Sequence, residues 1–230
     1  MLNRFLIIIP LLLSFSGISQ REHNTGLHFG FGKTSSITGD IVKNFKLLKS
    51  EKLFIGAGAR AGVIYSSDKI SFYTAPAKYA KEQDGIDTMR VNKPIMVPVN
   101  VSISVSYFLN NKLSAGIFID IAGFTFGGKK KSDFYPSLLQ QKSEGKRNVL
   151  NEQYAKPMIN NFNMIGNYRK GTTFNEVFVR YQVHERFSVK ANFLLITTEY
   201  ISEKRIAYKS NYRFRNTSTQ FGIGLSYHFI

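Results

Sequence analysis

From Ile95 onward, the odd positions of the chain read Ile95, Val97, Val99, Val101, Ile103, Val105, Tyr107 and Leu109. The even positions between them are Met96, Pro98, Asn100, Ser102, Ser104, Ser106 and Phe108. Asn110-Asn111 interrupts the run, and the odd positions resume as Leu113, Ala115, Ile117, Ile119 and Ile121. Successive side chains of a strand point to opposite faces, so strict alternation describes a strand with one apolar face. Asn accepts the positive φ that a tight hairpin turn demands. Residues 94–127 are therefore expected to form a β-hairpin. Its arms exceed the roughly 5–6 residues of an ordinary strand. They reach the roughly 9–11 residues with which a tilted strand crosses a bilayer.

The same rhythm recurs along the chain. Strands are expected at 25–33, 36–47 (the poorest alternation), 53–65, the two hairpin arms, 172–183, 187–200 and 215–230. At 53–65, Ile55, Ala57, Ala59, Ala61, Val63 and Tyr65 alternate with Gly56, Gly58, Arg60 and Gly62. Short connections at 48–52, 110–111 and 184–186 contrast with long ones at 66–93, 128–171 and 202–214. No helical period competes. The expected fold class is all-β: a closed antiparallel up-and-down transmembrane β-barrel of eight strands with long extracellular loops.

Residues 1–19 have the layout of a cleaved secretory signal, leaving 20–230 as one barrel domain. Arg4 supplies the positive start, and Phe5 to Leu13 is an apolar run interrupted by Pro10. Gly17 and Ser19 then stand at −3 and −1 for cleavage before Gln20. The run is about half the roughly 20 apolar residues of a spanning helix. The chain contains no Cys, which excludes disulfides, thiolate metal sites, a cysteine nucleophile and lipoprotein processing. It also contains no Trp, so any interfacial aromatic belt must come from its 12 Tyr and 20 Phe.

Alternation defines two faces without saying which points outward. The non-aliphatic face is mostly Gly, Ser and Asn, whereas a water-facing barrel exterior normally carries abundant Lys and Glu. Small residues suit a crowded interior. Tyr107, Tyr181, Phe187, Tyr227 and Phe229 share the apolar parity and all lie beside a short turn or the C-terminus. An aromatic row at one rim is what a bilayer interface selects.

In its leader, its strand–short turn–strand–long loop order and its closing Leu225-Ser226-Tyr227-His228-Phe229-Ile230, the chain resembles the small eight-stranded outer-membrane barrel proteins of Gram-negative bacteria, the OmpA/OmpX-like class. That resemblance implies an outer-membrane location and insertion by the barrel-insertion machinery, which reads a terminal aromatic. Here Ile230 follows Phe229, a departure of one residue. The resemblance carries architecture and no particular activity.

Parity places Arg60, Asp120, Glu176, Arg180 and Lys190 on the inner face, together with His28, Asn100, Gln182, Asn192, Gln220 and His228. Charges in a narrow interior must pair, so these five are expected to form a structural polar network with one spare positive charge. The spacing Gly56-x-Gly58-x-x-x-Gly62 does not fit a phosphate-binding loop, because strand alternation runs through it. No cofactor and no metal site is expected, and no catalytic residue is assigned: none of the four His has an adjacent Ser or Asp that would make a nucleophile–base pair by sequence proximity. The net charge is +16, or +15 without Arg4. Residues 128–172 hold nine Lys/Arg against Asp133, Glu144 and Glu152. Lys129, Lys130, Lys131, Lys146, Arg147, Arg169 and Lys170 are expected to meet anions, namely lipopolysaccharide phosphates or an acidic partner. The expected role is a non-enzymatic structural, surface-interaction or accessory protein of the envelope. Its partners would be membrane lipid, lipopolysaccharide and another envelope protein, not nucleic acid. A small porin-like transport barrel is the alternative, and an envelope enzyme the third. Loop 128–171 also carries Phe134-Tyr135-Pro136 and Leu138-Leu139, which predicts that it folds over the barrel mouth.

Overall fold

Alternation over ten residues or more leaves a strand little choice of register, because a slip by one residue turns every side chain to the wrong face. The computed structural model describes residues 23–47, 52–75, 85–138, 141, 149–163, 169–204 and 211–229. The expected signal segment 1–19 lies outside them. Among the described residues, thirteen strands form one antiparallel sheet: β1 (His23–Gly32), β2 (Ser35–Lys46), β3 (Leu53–Tyr65), β4 (Ile70–Thr74), β5 (Thr88–Val91), β6 (Ile95–Phe108), β7 (Leu113–Phe126), β8 (Lys130–Tyr135), β9 (Leu150–Pro157), β10 (Asn160–Phe162), β11 (Thr173–His184), β12 (Phe187–Ser202) and β13 (Arg213–Phe229).

The strand count therefore differs from the expected eight. The eight expected strands are present as β1, β2, β3, β6, β7, β11, β12 and β13, with ends within about two residues. They pair in a closed ring in that order, and β13 returns to β1 through the register His23↔Phe229 to Gly32↔Gln220. The other five strands lie in segments 66–93 and 128–171, expected as loops. The reason is an edge problem. At one end β12 and β13 outrun their ring neighbours, and the exposed hydrogen-bonding groups are capped by added strands. Tyr200↔Pro157 joins β12 to β9, and Phe214↔Thr74 joins β13 to β4. Pairings β4–β5, β5–β8 and β8–β9 then complete a second, shorter ring on top of the first.

A bulge between Val101 and Ser102 of β6 leaves Ile121 of β7 unpaired. It reverses the outward parity of β7: Ile117 and Ile121 face out before it, and Phe124 and Phe126 after it. Over most of the first ring the parity holds, until β12 enters the second ring, where Thr197 to Tyr200 are all buried; the outcome is an inverted protein. Leu27, Phe29, Ile41, Val101, Ile103, Val177, Ile223 and Leu225 are exposed around the ring, while Asn24, Thr38, Asn100, Ser102, Ser104 and Gln220 are buried inside it. Glycine is needed where the interior is tightest; a Cβ at Gly30 would collide with Gln220 and Ser36.

The interior is layered. Within the second ring, Ile70, Phe72, Met89, Val91, Phe134 and Phe214 from the added strands and β13 pack on Ile64, Met96, Phe174, Leu194, Ile196 and Tyr200. Phe72 meets Tyr200 edge to face at 5.0 Å. Burial raises the Tyr200 phenol above its ordinary value, although its hydroxyl donates to the Ile95 carbonyl at 3.3 Å. Below this apolar plug the interior turns ionic.

Candidate functional site

Six strands of the first ring each contribute one buried ionisable side chain to a common layer: His28 from β1, Asp40 from β2, Arg60 from β3, Asp120 from β7, Glu176 from β11 and Lys190 from β12. Asp40 and Arg60 are direct cross-strand partners in the β2–β3 register. Glu176 is the bridge. Its Oε2 accepts from Arg60 Nη2 at 2.5 Å and its Oε1 accepts from Lys190 Nζ at 2.6 Å. Asn192 Nδ2 also donates to Glu176 Oε1, at 3.1 Å. Arg60 reaches Asp120 and Lys190 reaches Asp40 at 3.9 Å each. Asp40 in turn meets His28 Nε2 at 2.5 Å.

Asp120 is satisfied differently. It accepts from Ser102 Oγ at 2.8 Å, Asn100 Nδ2 at 2.6 Å and the Phe174 backbone N–H at 3.0 Å. Aromatic faces close the remaining space: Arg60 lies 4.1 Å over Phe118, and Lys190 lies 5.2 Å from the centre of Phe178. The cations are thus held by carboxylates in the barrel plane and by ring quadrupoles across it.

Of the five residues expected to form this network, Arg60, Asp120, Glu176 and Lys190 come together and Arg180 does not. Its guanidinium stacks 5.1 Å over Phe178 and makes no hydrogen bond or ion pair among the described residues. Two members were missed. Asp40 was hidden by the poor alternation of β2, where Thr38 and Asp40 share the inward parity of Ser36. His28 was given inward parity but no partner, because its partner was the missing Asp40.

Arg180 lines a cavity of about 240 Å³ at the short-turn end of the ring. Phe54 and Phe108, edge to face at 5.2 Å, form part of its wall. Asn44, Ser106, Ser114 and Gln182 add polar groups, and Lys112, Glu185 and His228 complete it. Ser188 Oγ lies 2.9 Å from His228 Nε2. Ser188 is buried and outside the cavity lining, whereas His228 is part of it. Among the described residues no group of three His, Asp or Glu is placed to hold a metal ion.

The basic residues of 128–171 divide. Lys129 pairs with Glu203, and Lys131 with Glu152 at 3.5 Å. Lys130 opens β8, half-buried, and Lys170 is exposed beside a backbone bridge to Phe162. Lys146 and Arg147 lie outside the described residues. Arg169 is turned inward: it donates to Thr197 Oγ1 at 3.2 Å, and its carbonyl accepts from Arg213 at 3.3 Å and Arg215 at 2.5 Å. Both of those arginines also grip the buried Glu199, at 2.9 and 2.7 Å. Burial, and then the charge of Arg215, lowers the Arg169 pKa. Arg169 therefore belongs to a latch on the β12–β13 hairpin, which sequence spacing could not show because Arg169 and Glu199 are thirty positions apart.

Family models give no match to the chain, and curated proteins give none. Among solved structures it is similar to one described as "De novo design of transmembrane beta-barrels", with 10% identity, a TM-score of 0.36, and coverage of 92% of this chain and 98% of that one. It is also similar to the CymD monoaromatic hydrocarbon channel (10% identity, TM-score 0.22, 92% of this chain and 89% of that one). The Pseudomonas putida toluene transporter TodX is a third (10% identity, TM-score 0.24, 96% and 91%).

Proposed function

We propose that the chain is an integral outer-membrane β-barrel of the small eight-stranded kind, non-enzymatic and closed to solute flow, with a folded β-cap on its extracellular end. The observation that carries this is the inversion of burial: apolar side chains cover the outside of the ring, and Ser, Thr, Asn and paired charges fill it. In water such a surface would associate; in lipid it is the required one. The exposed Tyr107, Tyr181, Phe187 and Phe229 mark the short-turn rim as one interface. Eight strands enclose an interior that side chains can fill. Here two successive barriers fill it, the ionic layer around Glu176 and the apolar plug around Phe72.

Its role is structural or surface-interacting. The cap displays Lys129, Lys131 and Lys170 toward the outside, where lipopolysaccharide phosphates or an acidic envelope partner would meet them. Refolded protein in a planar bilayer tests the closure. The expected record shows no steady conductance. Large, steady conductance in the wild-type chain would replace this reading with the porin-like one. Lipopolysaccharide co-purification, compared between the wild type and a Lys129→Ser/Lys131→Ser variant, tests the partner.

A further inference from the structure

Arg180 is the one cation of the first ring's interior that its own barrel leaves without a carboxylate at contact distance among the described residues. Arg60 and Lys190 each hold a Glu176 oxygen within 2.6 Å. Arg180 has an aromatic face on one side, an enclosed Nε without a hydrogen bond, and a cavity on the other side. Asp40 and Glu176 act on the half-buried Arg180 through their charge, but neither stands at contact distance, and a rigid planar fork of donors matches a carboxylate in two places at once.

We propose that this cavity binds a small carboxylate with a flat apolar body, Arg180 taking the carboxylate and Phe54 and Phe108 flanking the body. Three features define that class. The volume, about 240 Å³, admits a molecule of roughly one ring and excludes a lipid chain or a folded partner. The Phe54–Phe108 pair offers aromatic surface for a flat group to pack against. Lys112 at the mouth adds positive charge that draws an anion in, opposed among the described lining residues by Glu185. Behind Arg180 lies only a much smaller void, which Asp40, Phe118, Phe178 and Lys190 line. The cavity is a dead-end site entered from the short-turn side, independent of whether the cap binds anything.

The test is a ¹⁹F NMR line-width titration of the refolded full chain with 4-fluorobenzoate, using 4-fluorobenzamide as the neutral analogue and inorganic phosphate as competitor. Saturable binding of 4-fluorobenzoate is expected, weakened at least tenfold by Arg180→Gln and less by Arg180→Lys, with no saturable binding of the amide. Phosphate at equal concentration should leave the benzoate bound. The proposal is overturned by the absence of saturation up to about 10 mM, the weak end of specific binding. Equal affinity of the Arg180→Gln variant, equal binding of the amide, or displacement by phosphate would overturn it as well. If Arg180→Gln does not fold, Lys112→Glu on the exposed turn decides: a loss of at least threefold is expected, and an unchanged affinity overturns the site.

Discussion

Replacing Glu176 by Gln keeps the shape of the central bridge and removes its charge. In the native interior one carboxylate oxygen serves Arg60 at 2.5 Å and the other serves Lys190 at 2.6 Å. Gln has one carbonyl oxygen and one amide NH₂, so one of the two cations must face a donor. Hydrogen bonds to charged groups contribute about 1.5–3 kcal/mol each, and removing one partner of a buried ion pair costs about 3–5 kcal/mol. Here each cation keeps a second carboxylate at 3.9 Å, Asp120 for Arg60 and Asp40 for Lys190. That compensation sets the expected loss near the lower bound, about 3 kcal/mol. The measurement is urea-dependent folding in phospholipid vesicles, followed by circular dichroism and by heat-modifiable gel mobility. Adding Lys190→Met removes the stranded ammonium, so the double variant should recover part of the loss, with a coupling energy of about 1.5 kcal/mol or more, within the range for residues in one network. A Glu176→Gln variant within about 1 kcal/mol of wild type, below the cost of an unpaired buried charge, would refute the account of the ionic layer. Simple additivity with Lys190→Met would refute it equally.

Three further outcomes are expected. Val101→Lys on the exposed face should cost about 2–4 kcal/mol of folding into lipid, whereas Ser104→Asn on the buried polar face should cost clearly less, and equal tolerance would sink the membrane assignment. Phe72→Ala opens a hole in the plug, a change worth about 3–5 kcal/mol in a packed core; limited proteolysis should show the cap loosened while the first ring stays intact. Burial raises the Tyr200 phenol, so the unfolded chain ionises at this position first. The resulting stability is fully present below the unfolded value of 10.0 and is lost as pH rises above it. Tyr200→Phe should accordingly flatten the alkaline limb of the stability curve, and an unchanged difference between pH 8 and pH 11 would count against it.

What the sequence made legible was governed by period two. Strands such as β6, where six outward aliphatic residues and Tyr107 alternate with Met, Pro, Asn and Ser, can be placed to the residue. The cap strands could not, since Ile70–Thr74 and Thr88–Val91 are too short for alternation to stand out from polar surroundings. Their pairing is dictated by edges that exist only once the ring has closed. The bulge at Ile121 was equally silent: nothing local distinguishes Ile121 from Ile119, and the reversal shows only in Phe124 and Phe126 two turns of the pleat later.

In a barrel turned inside out, the charges of the inner face become an accounting problem that the sequence poses and the structure resolves. Counting Arg60, Arg180 and Lys190 against Asp120 and Glu176 leaves one positive charge over. Finding Asp40 on β2 makes the count even, three against three. Geometry does not follow the count. Asp40 is taken by His28 and Lys190, Glu176 is shared by Arg60 and Lys190, and Asp120 is held largely by neutral donors. Three carboxylates thus crowd around two cations, while the third cation stands off beside a cavity. A closed structural plug would gain by drawing Arg180 into the layer, where its charge would be compensated directly. Phe178 holds it at the other side of the ring stack instead. Parity counted one positive charge over without saying which; with Asp40 added the count is even, and Arg180 is the cation left with no carboxylate at contact distance among the described residues.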